Sequence, residues 1–211
     1  MITVLDYGVG NVGSVLNMLK RGGFEARLIS DPDEVQRADK LILPGVGAFD
    51  HGMDRLQRLG LVPVLHECAR RRRIPILGIF LGCQLMARAS EEGQSPGLGW
   101  IDADVVEFRF EGELARLPRP HMGWNEVAPR GPARLFAGLG ERPRFYFVHS
   151  FHLRCADPAD VAGETLYGYP FTAAIERGNL FGVQFHPEKS HRYGLQVLSA
   201  FARLESCSAP A

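Results

Sequence analysis

The sequence contains no long apolar run and no excess of charge of either sign. No apolar stretch approaches the roughly 20 residues that span a bilayer, and the N-terminus MITVLD leads directly into a strand pattern with no basic segment before it. Lys and Arg together number 24, and so do Asp and Glu. Binding to nucleic acid or to an anionic membrane needs a basic surface, so this composition favours neither partner. We therefore expect a cytoplasmic protein with no nucleic-acid or membrane partner.

Cysteine is scarce and scattered. None of the four cysteines stands in a C-x-x-C pair or at the Cys/His spacing of a zinc site. Reduced thiols are the default for such a chain. We therefore predict no metal site and no cofactor.

The chain does have enough apolar sequence for a core. It has 211 residues, of which 45% are hydrophobic and 23% charged, as in ordinary globular proteins. We find no internal repeat and no low-complexity linker. The sequence predicts a single domain over residues 1–204 and a frayed tail over residues 205–211.

Strand and helix patterns alternate in the first half of the chain. Residues 2–6, 24–29, 41–44 and 74–79 have strand patterns, and the last is apolar on both faces, as at the centre of a parallel sheet. An apolar helix face follows the first strand, and Ser30-Asp-Pro-Asp33 predicts a capped helix start. This alternation predicts parallel βαβ crossovers.

Beyond residue 95 the pattern changes to short strands with frequent Gly and Pro. Strands are predicted at 100–106, 145–148, 164–169, 173–175 and 180–185, and a closing helix at about 191–204. We expect these strands to be antiparallel and to extend the sheet of the first half.

The stretch ILGIFLGCQLM, residues 76–86, predicts a strand that turns sharply into a helix. Such a corner needs small residues two positions before and two after it, because the backbone packs tightly there. Gly78 and Gly82 supply that spacing around Phe80, whereas a corner at Cys83 would need glycine where the sequence has leucine. The corner residue is therefore Phe80, which cannot act as a nucleophile.

Cys83 follows the corner by one helical turn. Positions three apart lie on neighbouring sides of a helix, with Cβ atoms about 5–6 Å apart, so this thiol could lie beside a pocket. Free cysteine is also among the most often buried side chains. The spacing leaves open whether Cys83 replaces a nucleophile or packs into the core.

A histidine and a glutamate follow the strand pattern of Gly182-Val-Gln-Phe-His186-Pro-Glu188. A strand-end His whose second ring N–H reaches a carboxylate is the base half of a nucleophile–His–Glu triad. The alternative is a surface His followed by a helix-capping Glu. The spacing alone leaves both open.

These pieces resemble a family. Gly78-Ile-Phe-Leu-Gly-Cys-Gln84 resembles the G-I-C-x-G-x-Q box of class I (triad) glutamine amidotransferases, and His186-Pro-Glu188 resembles their H-P-E element. Further blocks are similar to the glutaminase subunit of imidazole glycerol phosphate synthase, namely DYGVGN at 6–11, LPGVGAF at 43–49, HMGWN at 121–125, YFVHS at 146–150 and HPEKS at 186–190. The likeness runs from residue 1 to about 204.

The resemblance implies a flavodoxin-like α/β fold with a central, mostly parallel sheet flanked by helices and additional antiparallel strands in the C-terminal half. It implies hydrolysis of glutamine to glutamate and ammonia. It also implies a heterodimer with a cyclase, a (β/α)8 barrel that receives the ammonia through a tunnel and makes imidazole glycerol phosphate for histidine biosynthesis.

The resemblance also implies roles for single residues. His186 would be the general base and acid and Glu188 its orienter, while Gln84 would contact the bound glutamine. Ser150 and Phe151 match the strand that holds the glutamine backbone in relatives.

Further roles concern the oxyanion and the partner. The backbone N–H of Leu81 and one from Gly45, Val46 or Gly47 would hold the oxyanion, each worth about 3–4 kcal/mol when well placed. The partner interface would include Asn11, Trp124 and Asn125. Alternatively, Asn11 would cap the first helix.

The departure from the family lies at the nucleophile, where Phe80 stands in place of cysteine. Thioester chemistry needs a thiolate that attacks the carboxamide carbon and is later expelled by water. A benzyl group supports neither step, and it would fill the space that the glutamine side chain must enter.

Four hypotheses follow from this departure. The chain is the glutaminase subunit, and Cys83 or a water activated by His186 replaces the thiol. Alternatively, it is a non-catalytic subunit that docks on the cyclase while free ammonia serves as nitrogen donor. A third possibility is that Phe80 is an introduced change, and a fourth is a partner that aminates cell-surface sugars.

Overall fold

A mixed sheet with helices on both faces forms the protein, as seen in a computed structural model that describes residues 1–140 and 142–205. The strands are β1 (Ile2–Leu5), β2 (Ala26–Ile29), β3 (Leu41–Gly45), β4 (Ile76–Phe80), β5 (Ala89–Ser90), β6 (Ala103–Glu107), β7 (His121–Glu126), β8 (Ala128–Pro129), β9 (Arg144–His149), β10 (Phe151–Cys155), β11 (Val161–Tyr167), β12 (Tyr169–Arg177) and β13 (Leu180–Val183). The helices are α1 (Val12–Arg21), α2 (Pro32–Gln36), α3 (Phe49–Arg58), α4 (Leu61–His66), α5 (Leu81–Gln84) and α6 (His191–Arg203).

The main sheet has the strand order β2-β1-β3-β4-β13-β12-β10-β6-β5, and β11 pairs with β12 and β8. The pairs from β2 to β13 are parallel, whereas β13–β12, β12–β10 and β10–β6 are antiparallel. A mostly parallel N-terminal half that continues into antiparallel strands is the fold predicted from the sequence.

The strand β13 differs in part from its prediction. It is antiparallel to β12 but parallel to β4, with Gly182 opposite Gly78. The hairpin between β12 and β13 makes those two strands antiparallel. The other edge of β13 pairs with the free edge of β4, and there the two strands run in the same direction. The residues after β13 therefore emerge at the carboxyl end of β4, where ligands bind in sheets of this kind.

Two further predictions on the strands are wrong. Residues 164–169 form parts of two strands, because Gly168 adopts a φ of +74° and turns β11 back into β12. The predicted strand at 145–148 lies in β9, which does not extend the main sheet but pairs with β7, a strand that was not predicted, with Trp124 opposite Tyr146.

The helix start and the apolar helix face that the sequence predicts are both present in the structure. The Asp31 side chain accepts the backbone N–H groups of Asp33 and Glu34 and caps α2, with Pro32 in the first turn. In α1 the buried residues are Val15 and Leu19, on the predicted apolar face.

The core has two parts, one on each face of the sheet. Ile76 of β4 packs into the part that lies against α3 and α4, while Leu77 and Ile79 pack into the part against α1 and α6. The predicted two-faced apolar strand is thus buried on both faces, and β4 holds the centre of the sheet.

No described helix is both long and apolar enough to cross a membrane. Residues 206–211 of the predicted tail lie outside the described residues.

Candidate functional site

The corner lies at Phe80, which ends β4 and directly precedes α5. Its φ of 54° and ψ of −112° are strained for a bulky side chain. A Cβ on Gly82 would lie 1.8 Å from the Leu43 carbonyl oxygen, and one on Gly78 would lie 2.6 Å from the Gly82 carbonyl oxygen. Both positions therefore require glycine, and the side chain of residue 80 is turned out of the strand.

His186 and Glu188 form a buried pair after β13. The Glu188 carboxylate accepts the His186 Nδ1–H at 2.8 Å, and both side chains are almost fully buried. Because Nδ1 carries the hydrogen, the neutral ring presents its lone pair at Nε2. That nitrogen has no hydrogen-bond partner within residues 1–140 and 142–205. This geometry is the one expected of a base with its orienter, and the alternative of a surface histidine is wrong because both side chains are buried.

A short turn fixes this pair in place. The His186 N–H donates to the Tyr146 carbonyl at 2.9 Å, and the Tyr146 N–H donates to Ser190 Oγ at 3.0 Å. Ser190 Oγ donates in turn to the His186 carbonyl at 2.6 Å. The backbone of the histidine is therefore anchored to β9 from two directions.

The Phe80 ring stacks on the His186 imidazole. The ring centroids are 4.6 Å apart and the planes differ by 25°. His186 is only 2% exposed, and its base nitrogen is buried. The side chain of residue 80 therefore lies against the face of this imidazole.

A cavity of about 320 Å³ opens beside the corner. Its lining includes Gly47, Phe80, Gln84, His149, Ser150 and Phe151. A larger groove of about 580 Å³ is lined by residues of α6 and of the turn Arg134–Phe136, and none of the predicted site residues contributes to it. The smaller cavity thus brings together residues that the sequence places far apart.

Gln84 is held firmly at the cavity. Its Nε2 donates to the Phe151 carbonyl at 3.2 Å and to Gln184 Oε1 at 3.1 Å, and the residue is 3% exposed. With both N–H groups directed at acceptors, the carbonyl oxygen of Gln84 is the atom left to accept a hydrogen bond from a ligand.

The glycine loop after β3 approaches the corner closely. A Cβ on Gly45 would lie 2.6 Å from the Tyr7 hydroxyl and 2.9 Å from Leu81 Cβ. Gly47 has a φ of +96° and lines the cavity, while Val46 is exposed. Gly45 therefore packs against Leu81, and Gly47 lies at the wall of the cavity.

Cys83 lies in α5, and its side chain points into the core. Its side chain is fully buried in the core, and a Cβ on Gly182 would lie 2.4 Å from its sulfur. Burial raises the pKa of the Cys83 thiol well above its usual value. The residue is a packed, protonated thiol.

The predicted interface residues differ in exposure. Trp124 is 40% exposed and stacks on His191, with centroids 5.4 Å apart. Asn11 stands before α1 and is exposed, but its side chain makes no capping hydrogen bond, so the alternative interpretation of Asn11 as a helix cap is wrong. Asn125 is half-buried and donates to the Leu166 carbonyl at 3.0 Å.

Sequence reasoning missed some of the cavity residues. His149 stands next to Ser150 in one of the blocks that resemble the family, so it could have been found. Glu92 also lines the cavity and accepts the Phe49 N–H at the start of α3, at 2.9 Å. No sequence pattern pointed to Glu92.

Within the described residues, no three His, Cys, Asp or Glu side chains come together in a way that could hold a metal ion.

Comparison with known proteins identifies the family. The family model described as "Glutamine amidotransferase class-I" matches residues 3–203.

This chain belongs to the class-I glutamine amidotransferase family.

Several relatives carry a more specific name. Imidazole glycerol phosphate synthase subunit HisH 2 of Pseudomonas aeruginosa is 52% identical over 204 residues, which cover 97% of this chain and 100% of the relative. The subunit HisH of Moorella thermoacetica is 47% identical over 96% of this chain and 94% of its own length. That of Bdellovibrio bacteriovorus is 43% identical over 97% of this chain and 100% of its own length.

Solved structures of low identity share the fold. PurLQS from Thermotoga maritima has a TM-score of 0.70 at 20% identity, and the match covers 95% of this chain and 96% of its own. The glutaminase domain of Trypanosoma brucei CTPS has a TM-score of 0.65 at 18% identity, and the match covers 96% of this chain and 93% of its own. These likenesses show the amidotransferase architecture.

The first prediction concerns the corner. Gly82→Ala should lower the free energy of unfolding by more than about 3 kcal/mol, because the new Cβ meets the Leu43 carbonyl and backbone has to move. Gly13→Ala is the matched control, since it lies in α1 with open space around it and should change stability by less than about 1 kcal/mol. Urea denaturation of both variants measures the difference. Equal stabilities would contradict this account of the corner.

The second prediction concerns two buried histidines. Burial lowers the pKa of His121 to about 4 and that of His149 to about 3. The unfolded chain, with a histidine pKa of about 6.5, takes up these protons first as the pH falls. The free energy of unfolding should therefore fall below pH 6.5, by up to about 1.4 kcal/mol per pH unit for each histidine, until the folded pKa is reached.

Urea denaturation between pH 7 and pH 4.5 measures this slope. His149→Gln should make the slope shallower, whereas His51→Gln, at an exposed histidine, should leave it unchanged. A slope that does not respond to His149→Gln would contradict the assignment.

Proposed function

We propose that this chain is the amidotransferase subunit of an imidazole glycerol phosphate synthase, and that Phe80 prevents it from forming the thioester through which its family hydrolyses glutamine. The names of its relatives support the first part. The observation that carries the second part is the stack of the Phe80 ring on His186, at 4.6 Å.

The base half of the triad is retained. Glu188 accepts the Nδ1–H of His186 and so keeps the lone pair at Nε2, which is the nitrogen that takes a proton from a nucleophile. With a cysteine at position 80, this nitrogen would form the thiolate. The benzyl group of Phe80 has no proton to give and no lone pair with which to attack.

The phenylalanine also obstructs hydrolysis by a water molecule. A water attacking glutamine would need contact with His186, but that residue is 2% exposed and covered by the Phe80 ring. The ring further lines the cavity into which a glutamine side chain has to extend. Binding of glutamine and general base catalysis should therefore both suffer.

Cys83 is a poor substitute for the missing nucleophile. Its sulfur packs against Gly182 in the core rather than toward the cavity, and its raised pKa keeps it protonated at neutral pH. Moving it to the cavity would require the helix α5 to rotate against β3, which the contact of Gly82 with the Leu43 carbonyl opposes.

The remaining role is docking on the cyclase. Large exposed aromatic side chains are typical of protein interfaces, and Trp124 on β7 is one, supported by the flat His191 ring. Asn11 is exposed before α1. In this proposal the chain binds a (β/α)8-barrel cyclase through these residues and Asn125, and the cyclase takes its nitrogen from free ammonia.

The third prediction tests this function. Phe80→Cys should raise glutamate release from glutamine, measured with the cyclase present, by at least about a thousandfold, because it restores a nucleophile beside an oriented base. His186→Ala in the Phe80→Cys background should remove the gain.

Cys83→Ala is the matched control and should leave the activity of Phe80→Cys unchanged. If the unmodified chain releases glutamate and Cys83→Ala abolishes that release, the nucleophile is Cys83 and the proposal fails. If Phe80→Cys stays inactive, Phe80 is not what prevents glutamine hydrolysis, and this part of the proposal fails.

A further inference from the structure

Three buried histidines, among them His149 of the cavity lining, take no part in the chemistry described so far. His121 and His149 are 3% exposed and His152 is 5% exposed, and all three pack around Phe108. Every ring nitrogen of the three has a hydrogen-bond partner, and the structure determines which atom is the donor in each bond.

The direction of the first bond follows from a carbonyl. His149 Nδ1 lies 2.8 Å from the Phe151 carbonyl oxygen, which can only accept, so Nδ1 carries the hydrogen. Burial lowers the pKa of His149, and the ring is neutral at physiological pH. Its Nε2 is therefore an acceptor.

The remaining bonds follow in order. His149 Nε2 lies 3.0 Å from His121 Nδ1, so His121 has to donate there and keep its own Nε2 as an acceptor. Asn125 Nδ2 lies 3.3 Å from that nitrogen and donates to it. The chain of donation thus runs from Asn125 to His121, then to His149, and ends at the Phe151 carbonyl. We call these three side chains the Asn–His–His relay.

The end of the relay is a contact of the ligand cavity. The Phe151 carbonyl also accepts the Gln84 Nε2–H at 3.2 Å, and His149, Phe151 and Gln84 all line the cavity. A shift of this carbonyl would therefore move Gln84, the side chain whose free oxygen faces a ligand.

The beginning of the relay lies on the small sheet. Asn125 neighbours the exposed Trp124 on β7, and the sheet of β7 and β9 does not pair with the main sheet within the described residues. The strand β10, which begins at Phe151, belongs to the main sheet. The strand β7 pairs with β9, where His121 lies opposite His149, and β9 continues after one residue into β10. Side-chain bonds through the two histidines therefore add a direct link from Asn125 to the Phe151 carbonyl beside this backbone connection.

We propose that His121 and His149 are positioning residues that set the Phe151 carbonyl, and with it Gln84, according to the position of Asn125 on the exposed strand β7. The inference rests on the proposed function, because it takes the cavity to be the site for glutamine and β7 to be the docking strand.

His152 offers a matched control. It is buried in the same aromatic cluster, but its Nδ1 donates to the Leu153 carbonyl at 3.0 Å and its Nε2 accepts the Tyr169 hydroxyl at 3.0 Å. It therefore shares the burial and the aromatic contacts of the relay histidines without belonging to the relay.

The fourth prediction measures glutamine binding without turnover. Phe80→Ala removes the obstructing ring and supplies no nucleophile, so the dissociation constant for glutamine can be measured by calorimetry on the complex with the cyclase. In this background His149→Phe should weaken binding by about tenfold or more, because the Phe151 carbonyl loses its donor while the ring shape is kept. His152→Phe should change binding by less than about threefold.

Two further variants separate positioning from general stability. His149→Asn places an amide N–H near the former Nδ1 and should recover most of the loss of affinity. Asn125→Ala should weaken glutamine binding by about threefold or more when His149 is present, and should have no further effect in the His149→Phe variant, because the relay is already broken.

The outcomes distinguish this inference from the proposed function. If His149→Phe and His152→Phe weaken binding equally, or if Asn125→Ala and His149→Phe have additive effects, the relay has no positioning role. Failure of glutamine to bind to Phe80→Ala would overturn the inference as well. Absence of turnover in Phe80→Cys together with the expected binding pattern would contradict the proposed function and leave the inference standing.

Discussion

The contact between the Gly82 backbone and the Leu43 carbonyl is the constraint on which the site depends. It allows α5 to start directly at the end of β4, with no loop between them, and so forces Phe80 to a φ of 54°. The side chain of residue 80 then has one direction in which to point, toward His186. Because backbone atoms set this geometry, the corner does not depend on which side chain stands at position 80, although the chemistry of such a corner does.

The charged and polar groups near the corner are arranged by directed hydrogen bonds rather than by solvent. Glu188 fixes the tautomer of His186, and the Phe151 carbonyl fixes that of His149. Burying such groups is costly unless each is paired, so one changed partner affects the next along the chain. Residue 80 makes none of these hydrogen bonds, so they do not require a particular side chain at that position.

Phe80 determines what lies against the His186 ring. An aromatic ring lies on the face of the imidazole, whose Nε2 is buried without a hydrogen-bond partner in the described part of the chain. The fold, the hydrogen-bonded His186–Glu188 pair and the exposed Trp124 do not depend on a thiol at position 80, whereas formation of a thioester does.

The sequence by itself determined the alternating strands and helices, the corner at Phe80 and the position of His186 and Glu188 after a strand, because glycine spacing, apolar periodicity and short sequence separation act locally. The tertiary structure decided where the sulfur of Cys83 points, that β7 and β9 leave the main sheet, and that His149 and Glu92 reach the cavity. From the sequence, the Cys83 side chain could face either the cavity or the core. Packing of α5 against β13 places it in the core. A contact between two residues far apart in the chain cannot be predicted from the local sequence around either of them.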